Sequence, residues 1–376
     1  MRYFLIAGEA SGDLHGANLM RGLVKSDPQA EFRFWGGDRM AEVGGVENLI
    51  RHYKTASFFG FIEVAANLRT VLSQIRECKA EIAAYRPDVL VLIDYPGFNF
   101  RMAEYAHGLG IKTFYYISPK VWAWKESRIK RIKKYVDRLF IIFPFEVEYF
   151  KKHGIDAVFC GNPLVDAVGQ RMAEMPTEQE FRQANSLDDR PIVALVAGSR
   201  RSEIEYNLPL MAALSRRFPQ YQFVVTAVDW IDKALYDKCL AGSSVRYVCS
   251  QTYPAVRYAE AAVVTSGTAT LETALIGTPE VVCYRTDALQ IWAGRHLLKI
   301  KFISLVNLIL GRRAVAEIIE SSLDVSQAES ELRAILRGGE ARERMLRDFE
   351  QLREIVGGEG ASDRFAAEMV KILRKG

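Results

Sequence analysis

The sequence is poor in residues that hold metals or form covalent cross-links. Its 376 residues include only five cysteines and five histidines, which are scattered and form no CxxC pair. An odd number of widely spaced cysteines predicts free thiols in a reducing cytoplasm and gives no zinc signature. We therefore expect no metal ion and no other cofactor.

Long apolar runs and targeting signals are also lacking. The longest apolar runs, around Leu139–Pro144 and Phe302–Leu310, fall well short of the roughly 18 residues that a membrane-spanning helix needs. The N-terminus leads directly into an apolar strand pattern at Tyr3–Ala7, without the regions of a signal peptide. The net charge of +4 accompanies no recognised nucleic-acid-binding module, so nucleic acid is not an expected partner.

The chain instead shows short apolar runs that alternate with helical patterns from end to end. These runs have no period of two, which indicates parallel strands covered on both faces and hence an α/β fold. The predicted strands are Tyr3–Ala7, Phe32–Trp35, Val89–Ile93, Thr113–Tyr116, Leu139–Phe143, Ile192–Val196, Gln222–Thr226, Val245–Val248, Ala261–Val264 and Glu280–Cys283.

A polar interval at Asp166–Arg190 divides this pattern into two halves. Each half has about the five strands of a doubly wound, Rossmann-like unit, and ligands of such units bind at the carboxyl ends of the strands. We expect two such domains facing a cleft, residues 1–165 and 166–325, followed by a helical C-terminal tail, residues 326–376.

The segment Val263–Glu272 is the most informative in the second half. An apolar strand runs into the small-residue loop Ser266-Gly267-Thr268 and then into a predicted helix with Glu272 in its first turn. Backbone N–H groups at such a loop can meet a phosphate, and the carboxylate can take both hydroxyls of a ribose. With Thr268 as N-cap, a capping box would need Glu or Gln where Leu271 stands, so nucleotide contact is favoured over capping.

A second small-residue loop follows the strand Ile192–Val196. It contains Gly198, Ser199, Arg200 and Arg201, and glycine followed by arginine at a helix start suits a pyrophosphate. The alternative is a capped helix with solvated arginines. We favour phosphate because the same half holds the Ser266–Glu272 loop.

Two loops of the first half carry candidate side chains. Asp94 directly follows Val89–Ile93, where a carboxylate either pairs locally or acts as a general base on a hydroxyl. The first strand leads into Gly8–Asp13, which is not GxGxxG and is equally explained as a βα turn capped by Ser11 or Asp13. His15 near the same rim is a secondary candidate.

Two stretches suggest contact with an anionic membrane surface. The first is the aromatic group Phe58, Phe59 and Phe61, for which burial in the core is the alternative. The second is the basic segment Lys120–Lys134, which combines aromatic and cationic side chains as lipid interfaces do, although a solvated helix is the usual explanation. Its candidate lipid contacts are Trp122, Trp124, Lys130 and Arg131.

An ordered set of motifs between about residue 3 and about residue 315 resembles the lipid-A-disaccharide synthase family. The set comprises Gly8–Asp13, Ile93–Asn99, Ser118–Trp124, Pro144–Glu146, Gly161–Pro163, Gly198–Arg200, Ser266–Glu272 and Ser304–Leu308. The resemblance implies a GT-B glycosyltransferase that needs no metal and acts in lipid A biosynthesis of Gram-negative bacteria. Its implied partners are UDP-diacylglucosamine as donor and lipid X (2,3-diacylglucosamine 1-phosphate) as acceptor, and its products are UDP and a β-1,6 disaccharide.

The resemblance also implies a cytoplasmic enzyme bound peripherally to the inner membrane, and a homodimer that can exchange C-terminal segments. Asp94 is then the base for the acceptor hydroxyl, and Glu272 holds the ribose. Ser266, Gly267, Thr268 and Thr270 line the phosphate and sugar, Tyr284 and Asn307 lie near the donor, and Glu9, Ser11 and Gly12 face the cleft. A UDP-sugar 2-epimerase of the same fold and a non-catalytic sugar-nucleotide or lipid-binding module remain alternatives.

Overall fold

The computed structural model describes residues 1–56, 68–123, 126–285, 301–320 and 324–375. These residues form two compact units. The first comprises Met1–Ala167 together with Val356–Gly376, and the second comprises Val168–Ile355.

A seven-stranded parallel sheet organises the first unit. Its strand order is β3-β2-β1-β4-β5-β6-β7, so the order reverses between β1 and β4. Strand β4 is apolar and buried throughout, and β1 is buried from Tyr3 to Ala7, because helices pack on both faces of the sheet. The strands are β1 Arg2–Ala7, β2 Glu31–Gly36, β3 Leu49–His52, β4 Val89–Ile93, β5 Lys112–Tyr116, β6 Arg138–Ile141 and β7 Ala157–Phe159.

The helices of the first unit connect these parallel strands. They are α1 Ala10–Ser26, α2 Asp38–Gly44, α3 Tyr53–Ala56, α4 Leu68–Tyr85, α5 Pro96–Gly108, α6 Ile129–Tyr135, α7 Phe145–Lys152 and α8 Pro163–Ala173, and the unit boundary falls within α8.

The second unit has a six-stranded parallel sheet in the order β10-β9-β8-β11-β12-β13, with its reversal between β8 and β11. Its strands are β8 Ile192–Val196, β9 Gln222–Ala227, β10 Arg246–Cys249, β11 Ala259–Thr265, β12 Glu280–Arg285 and β13 Ala316–Glu320. Its helices are α9 Glu178–Ala184, α10 Arg201–Ser215, α11 Lys233–Leu240, α12 Thr252–Arg257, α13 Thr268–Ile276, α14 Leu305–Leu310, α15 Ser326–Ile335 and α16 Arg342–Val356.

The last helix, α17 (Ala361–Lys375), belongs to the first unit. Its Phe365 ring packs edge-on against Tyr116 at 5.2 Å between centroids. The Asp166 carboxylate accepts hydrogen bonds from the backbone N–H groups of Gly360 (2.6 Å), Ala361 (3.3 Å) and Ser362 (2.8 Å). These bonds satisfy donors at the start of the helix, which otherwise have no partner within it.

All ten predicted strands are confirmed, whereas β3, β7 and β13 were not predicted. Each of the three lies at the edge of its sheet. The residues of β3 and β7 are half-buried throughout, because an edge strand pairs on one side only. β3 and β13 include charged or polar residues and β7 is only three residues long, so the prediction of about five strands in each half was too low.

Candidate active site

Asp94 stands at the carboxyl edge of the first sheet, directly after the buried strand β4. Asp94 and Tyr95 both have left-handed backbone, with φ of 44° and 46°. This conformation costs about 1–2 kcal/mol for each residue that is not glycine. Ile117 and Ser250, at the carboxyl ends of β5 and β10, also have positive φ (60° and 55°), and such strain concentrates at functional sites.

The strained turn at Asp94 is held by hydrogen bonds to its carbonyl oxygen. The Tyr115 hydroxyl and the Asn99 amide each donate to the Asp94 carbonyl at 2.7 Å. Tyr115 and Asn99 are both fully buried. The position of Asp94 is therefore fixed from within the core of the unit.

The electrostatic surroundings of Asp94 favour its neutral form. Burial and, to a smaller extent, the charge of Glu9 raise the pKa of this carboxyl to about 6, whereas Lys120 and Arg128 oppose the shift. A carboxyl with this pKa is ionised at neutral pH yet remains a competent proton acceptor. This property suits a general base.

The polar residues after β1 bind different parts of the first unit. Glu9 is half-buried, is the N-cap residue of α1 and accepts a hydrogen bond from the Ser11 hydroxyl at 2.8 Å. Asp13 instead accepts from the N–H groups of Gly37 (2.6 Å), Arg39 (3.1 Å) and Met40 (3.1 Å). The expectation that Ser11 or Asp13 caps α1 is therefore wrong, since Asp13 caps α2.

Gly12 and His15 lie on α1, the helix that follows this loop. A Cβ atom on Gly12 would lie 3.2 Å from the Ala7 Cβ atom, so a small residue lets the helix pack closely on its strand. His15 is half-buried on the same helix. Close packing accounts for Gly12 without a ligand.

Glu146 is a buried carboxyl of the first unit that sequence analysis named only as part of a motif. Its buried carboxyl accepts from the Trp122 indole N–H at 3.0 Å and from the Phe143 N–H at 3.1 Å. Burial raises its pKa to about 7, against the effect of these two bonds and of Lys120. The carboxyl therefore ties the loop after β5 to the loop after β6.

In the second unit, α13 begins at Thr268 with Gly267 as its N-cap, and no described side chain caps it. The expectation of Thr268 as N-cap is wrong, and no acidic residue lies in the first turn, so Glu272 stands in the second. Ser266 donates its hydroxyl to the Ile303 carbonyl at 2.8 Å, and the buried Thr270 donates to Gly267 at 2.9 Å. These bonds fix the loop, and no described side chain uses the N–H groups of its helix N-terminus, which favour an anion.

Glu272 is half-buried and is oriented by Tyr253. The Tyr253 hydroxyl donates to Glu272 Oε1 at 2.7 Å, and the Arg171 guanidinium lies 4.9 Å from the Tyr253 ring centroid. Burial and the Glu272 charge raise the pKa of Tyr253, so the phenol stays a donor. Tyr253 lies 19 positions away on another helix, and no sequence pattern connects it to Glu272.

The loop after β8 already contains an anion of its own. The Glu203 carboxylate accepts from the N–H groups of Ser199 (3.0 Å) and Arg200 (3.2 Å), and it pairs with the Arg200 guanidinium at 2.7 Å. Arg201 pairs with Glu205 at 3.4 Å. Gly198 has φ of 109° and lies against Glu203. The alternative of a capped helix therefore describes this loop as it stands in the structure.

Tyr284 and Asn307, expected near a donor, have different surroundings. Tyr284 is half-buried near the end of β12. Asn307 is fully buried, and its carboxamide bonds to the N–H groups of Ala314 and Val315, the Val315 carbonyl and Glu317 at 2.7–3.0 Å. These four bonds use its donors and acceptors, so its amide holds the chain before β13 and is not free for a ligand.

Some of the candidate lipid contacts have partners within the unit, and others are exposed. The Trp122 indole is bound to Glu146, and Arg131 pairs with Glu104 at 3.3 Å. Lys130 is exposed on α6 together with Lys133 and Lys134. The other candidates, Phe58, Phe59, Phe61 and Trp124, lie outside the described residues.

No described helix is long and apolar enough to cross a membrane. Within the same parts of the chain, no group of three or more His, Cys, Asp or Glu side chains could hold a metal ion.

Solved structures with a similar fold include a UDP-sugar epimerase and a protein in complex with UDP. A UDP-GlcNAc 2-epimerase from Neisseria meningitidis bound to UDP-GlcNAc is 12% identical and covers 100% of both chains at a TM-score of 0.64. The MnaA protein of S. aureus in a structure with UDP is 13% identical, covering 99% of this chain and 97% of its own, at a TM-score of 0.65. At this identity the likeness establishes the fold, which is GT-B.

Sequence comparison identifies the family. A family model described as lipid-A-disaccharide synthetase matches residues 3–367. A lipid-A-disaccharide synthase from Syntrophus aciditrophicus is 36% identical over 99% of this chain and 97% of its own length. The corresponding protein of Myxococcus xanthus is 37% identical over 100% and 98%. The chain belongs to the lipid-A-disaccharide synthase family.

Proposed function

We propose that this protein transfers a 2,3-diacylglucosamine unit from UDP to the 6-hydroxyl of 2,3-diacylglucosamine 1-phosphate. The products are UDP and the β-1,6-linked disaccharide 1-phosphate. Family membership over nearly the whole chain supports the transfer and the lipid A pathway. The observation that carries the mechanism is Asp94, a strained, half-buried carboxyl with a pKa of about 6 at a strand end.

The first unit supplies the base in this proposal. The Asp94 carboxylate takes the proton of the acceptor 6-hydroxyl, and the oxygen attacks the anomeric carbon of the donor. The bond between that carbon and the UDP oxygen breaks at the same time, so UDP leaves with the bonding electrons. A single displacement inverts the anomeric centre and needs no covalent intermediate.

The second unit supplies the donor site. The diphosphate meets the N-terminus of α13 at Gly267 and Thr268, where backbone N–H groups and the helix dipole favour an anion. Glu272, oriented by Tyr253, accepts hydrogen bonds from the ribose hydroxyls. Arg200 joins the phosphate by exchanging its partner Glu203 for the charge that develops on departing UDP.

Contact with the membrane surface is proposed through α6. Lys130, Lys133 and Lys134 are exposed on this helix, and each cation near an anionic surface contributes about 1 kcal/mol. Trp122 and Arg131 have partners within the unit, so their role in lipid binding is secondary. A homodimer that exchanges C-terminal segments stays a prediction, and size-exclusion chromatography with light scattering would test whether the dimer forms.

Incubation of the protein with UDP-diacylglucosamine, with and without lipid X, tests the function. We expect disaccharide only when lipid X is present. Isomerised donor without lipid X would instead indicate an epimerase, and an unchanged donor in both reactions would indicate a binding module.

Asp94→Asn tests the base. We expect most turnover to be lost while the dissociation constant for UDP stays that of wild type. Asp88→Asn is the matched control, because Asp88 is an exposed carboxylate just before the same strand, at its opposite end. Full activity of Asp94→Asn, or loss of UDP binding, would contradict the role.

A further inference from the structure

The base proposed above depends on a backbone conformation that its own sequence does not favour. Asp94 and Tyr95 are consecutive non-glycine residues with left-handed φ, a combination that persists only where the surroundings enforce it. The side chain of a residue leaves the backbone in a direction set by φ and ψ. Relaxation of the turn would therefore move the Asp94 carboxyl.

The groups that enforce this turn converge on one atom. The carbonyl oxygen of Asp94 accepts from the Tyr115 hydroxyl and from the Asn99 amide, each at 2.7 Å. The Asn99 amide also reaches the Ile93 carbonyl at 3.3 Å, and the Asp94 N–H continues the parallel pairing to Tyr116 at 3.2 Å. Two buried side chains thus saturate the carbonyl of the residue whose carboxyl is the proposed base.

Tyr115 and Asn99 can both donate permanently to the Asp94 carbonyl. Tyr115 is fully buried on β5, and burial together with the Asp94 charge raises its pKa. Its hydroxyl therefore remains protonated and donates. Asn99 lies on α5, the helix that begins just after the turn. The two donors come from different elements and hold the turn from the strand side and from the helix side.

The packing of Tyr95 completes the support. Its ring lies over Gly8, where a Cβ atom would approach Tyr95 Cγ to 2.3 Å, and it stacks on Phe98 at 5.5 Å between centroids. Packing of this ring holds Tyr95 in its left-handed conformation, as the two hydrogen bonds hold Asp94.

We propose that Tyr115 and Asn99 are positioning residues, which hold the Asp94 carboxyl in its reactive place through the carbonyl of the same residue. Neither touches the substrate in this proposal, which rests on the proposed function of Asp94. Their loss reduces turnover and changes the titration of Asp94, whereas donor binding is unaffected.

Tyr115→Phe tests the hydroxyl, because it keeps the ring and its contact with Phe100 at 5.6 Å between centroids. We expect kcat to fall about 10–100-fold, since a misplacement of about 1 Å can cost 100-fold. KM for the donor and Kd for UDP should stay at their wild-type values. The acid limb of kcat/KM should move below pH 6, toward the ordinary aspartate value of 3.8, as the released carboxyl reaches water.

Tyr3→Phe is the matched control for the loss of a buried hydroxyl. Tyr3 is fully buried on β1, and its hydroxyl donates to Asp27 Oδ2 at 3.1 Å near the other end of the sheet. This variant should lower the melting temperature while kcat and the acid limb stay unchanged. Asn99→Leu, which keeps the branched shape and the number of side-chain heavy atoms, removes the second donor and provides the test if Tyr115→Phe does not fold.

If the wild type makes disaccharide and Tyr115→Phe has the same kcat and the same acid limb, this inference is wrong while the proposed function stands. An equal loss of kcat in Tyr3→Phe would overturn it too, because the effect would then reflect folding. Loss of the fold in both Tyr115→Phe and Asn99→Leu would make these residues supports of the domain and not of Asp94. A wild type that makes no disaccharide would refute the proposed function and this inference with it.

Discussion

Glu9→Gln removes the acidic neighbour whose charge raises the pKa of Asp94. With a pKa of about 6, Asp94 is about one-tenth ionised at pH 5 and about one-hundredth ionised at pH 4. An enzyme that needs this carboxylate as base therefore loses kcat/KM about tenfold at pH 5 and about 100-fold at pH 4, relative to its plateau. An aspartate at the ordinary value of 3.8 would still be mostly ionised at pH 5.

The sign of the Glu9→Gln effect follows from the charge removed. Without the Glu9 carboxylate the ionised form of Asp94 becomes easier to reach, so its pKa falls and the acid limb moves to lower pH. Burial is the larger cause of the raised pKa and is retained, so the limb should stay above 3.8. At pH 5 the variant should therefore keep a larger fraction of its plateau activity than wild type.

The assay is the initial rate of disaccharide formation from pH 4.5 to pH 8, analysed as kcat/KM so that it reports groups of the free enzyme and substrates. Glu31→Gln is the control, because Glu31 is an exposed carboxylate at the amino end of β2. Its limb should match wild type, including any contribution from the acceptor phosphate. A limb that moves upward in Glu9→Gln, or a wild-type limb well below pH 5, would refute the reasoning.

Three further predictions concern other parts of the two units. Glu272→Ala should weaken UDP binding in calorimetry, and Tyr253→Phe should weaken it less, because it only releases the carboxylate that meets the ribose. Glu280 is fully buried, its oxygens have no partner among the described residues, and burial raises its pKa well above 4.5. The folded state therefore keeps this proton after the unfolded chain has lost it, so the free energy of unfolding falls as pH rises from about 4.5 toward the pKa of the folded state. Glu280→Gln should make the melting temperature depend less on pH when melts at pH 6 and pH 9 are compared. Asp166→Ala should destabilise the first unit by about 1–2 kcal/mol in urea unfolding, because α17 loses its capping carboxylate.

Each of these predictions has an outcome that contradicts it. Equal affinities of wild type and Glu272→Ala for UDP would remove the ribose role. For Tyr253→Phe, comparison of UDP with 2′-deoxy-UDP is the control, since the second lacks one of the two ribose hydroxyls and should lose less affinity. A pH dependence of Glu280→Gln equal to that of wild type would mean that Glu280 does not hold its proton. An unchanged urea midpoint in Asp166→Ala would show that the three bonds add no net stability.

The parts of the candidate site that the sequence predicted are those where backbone and side chain lie in one continuous segment. Sequence analysis predicted β4 followed by Asp94 and β11 followed by the loop at Gly267. It could do so because buried parallel strands appear as apolar runs and ligands bind at their carboxyl ends. The partners of these residues were not predicted. Tyr115 and Tyr253 reach them from other elements, and a single sequence carries no record of such pairings.

Local patterns also misplaced two caps, for a physical reason. Asp13 follows a strand and precedes most of α1, as a capping residue would, but three N–H groups of a different helix bind its carboxylate. At α13 the helix begins one residue after Gly267, so Glu272 falls in the second turn. The choice among alternative partners depends on distances in space, which sequence spacing does not give.

By itself the sequence determined the two parallel α/β halves and the positions of ten strands along the chain. It also determined the family resemblance, which the comparisons confirm. The halves and strands could be predicted because buried strands appear as apolar runs along the chain. Only the tertiary structure decided that Glu203 binds the N–H groups of its own loop, that Asn307 belongs to the framework and that the last helix joins the first unit. It also decided that Asp94 stands on a strained turn held by two buried donors, because such contacts join residues that folding alone brings together.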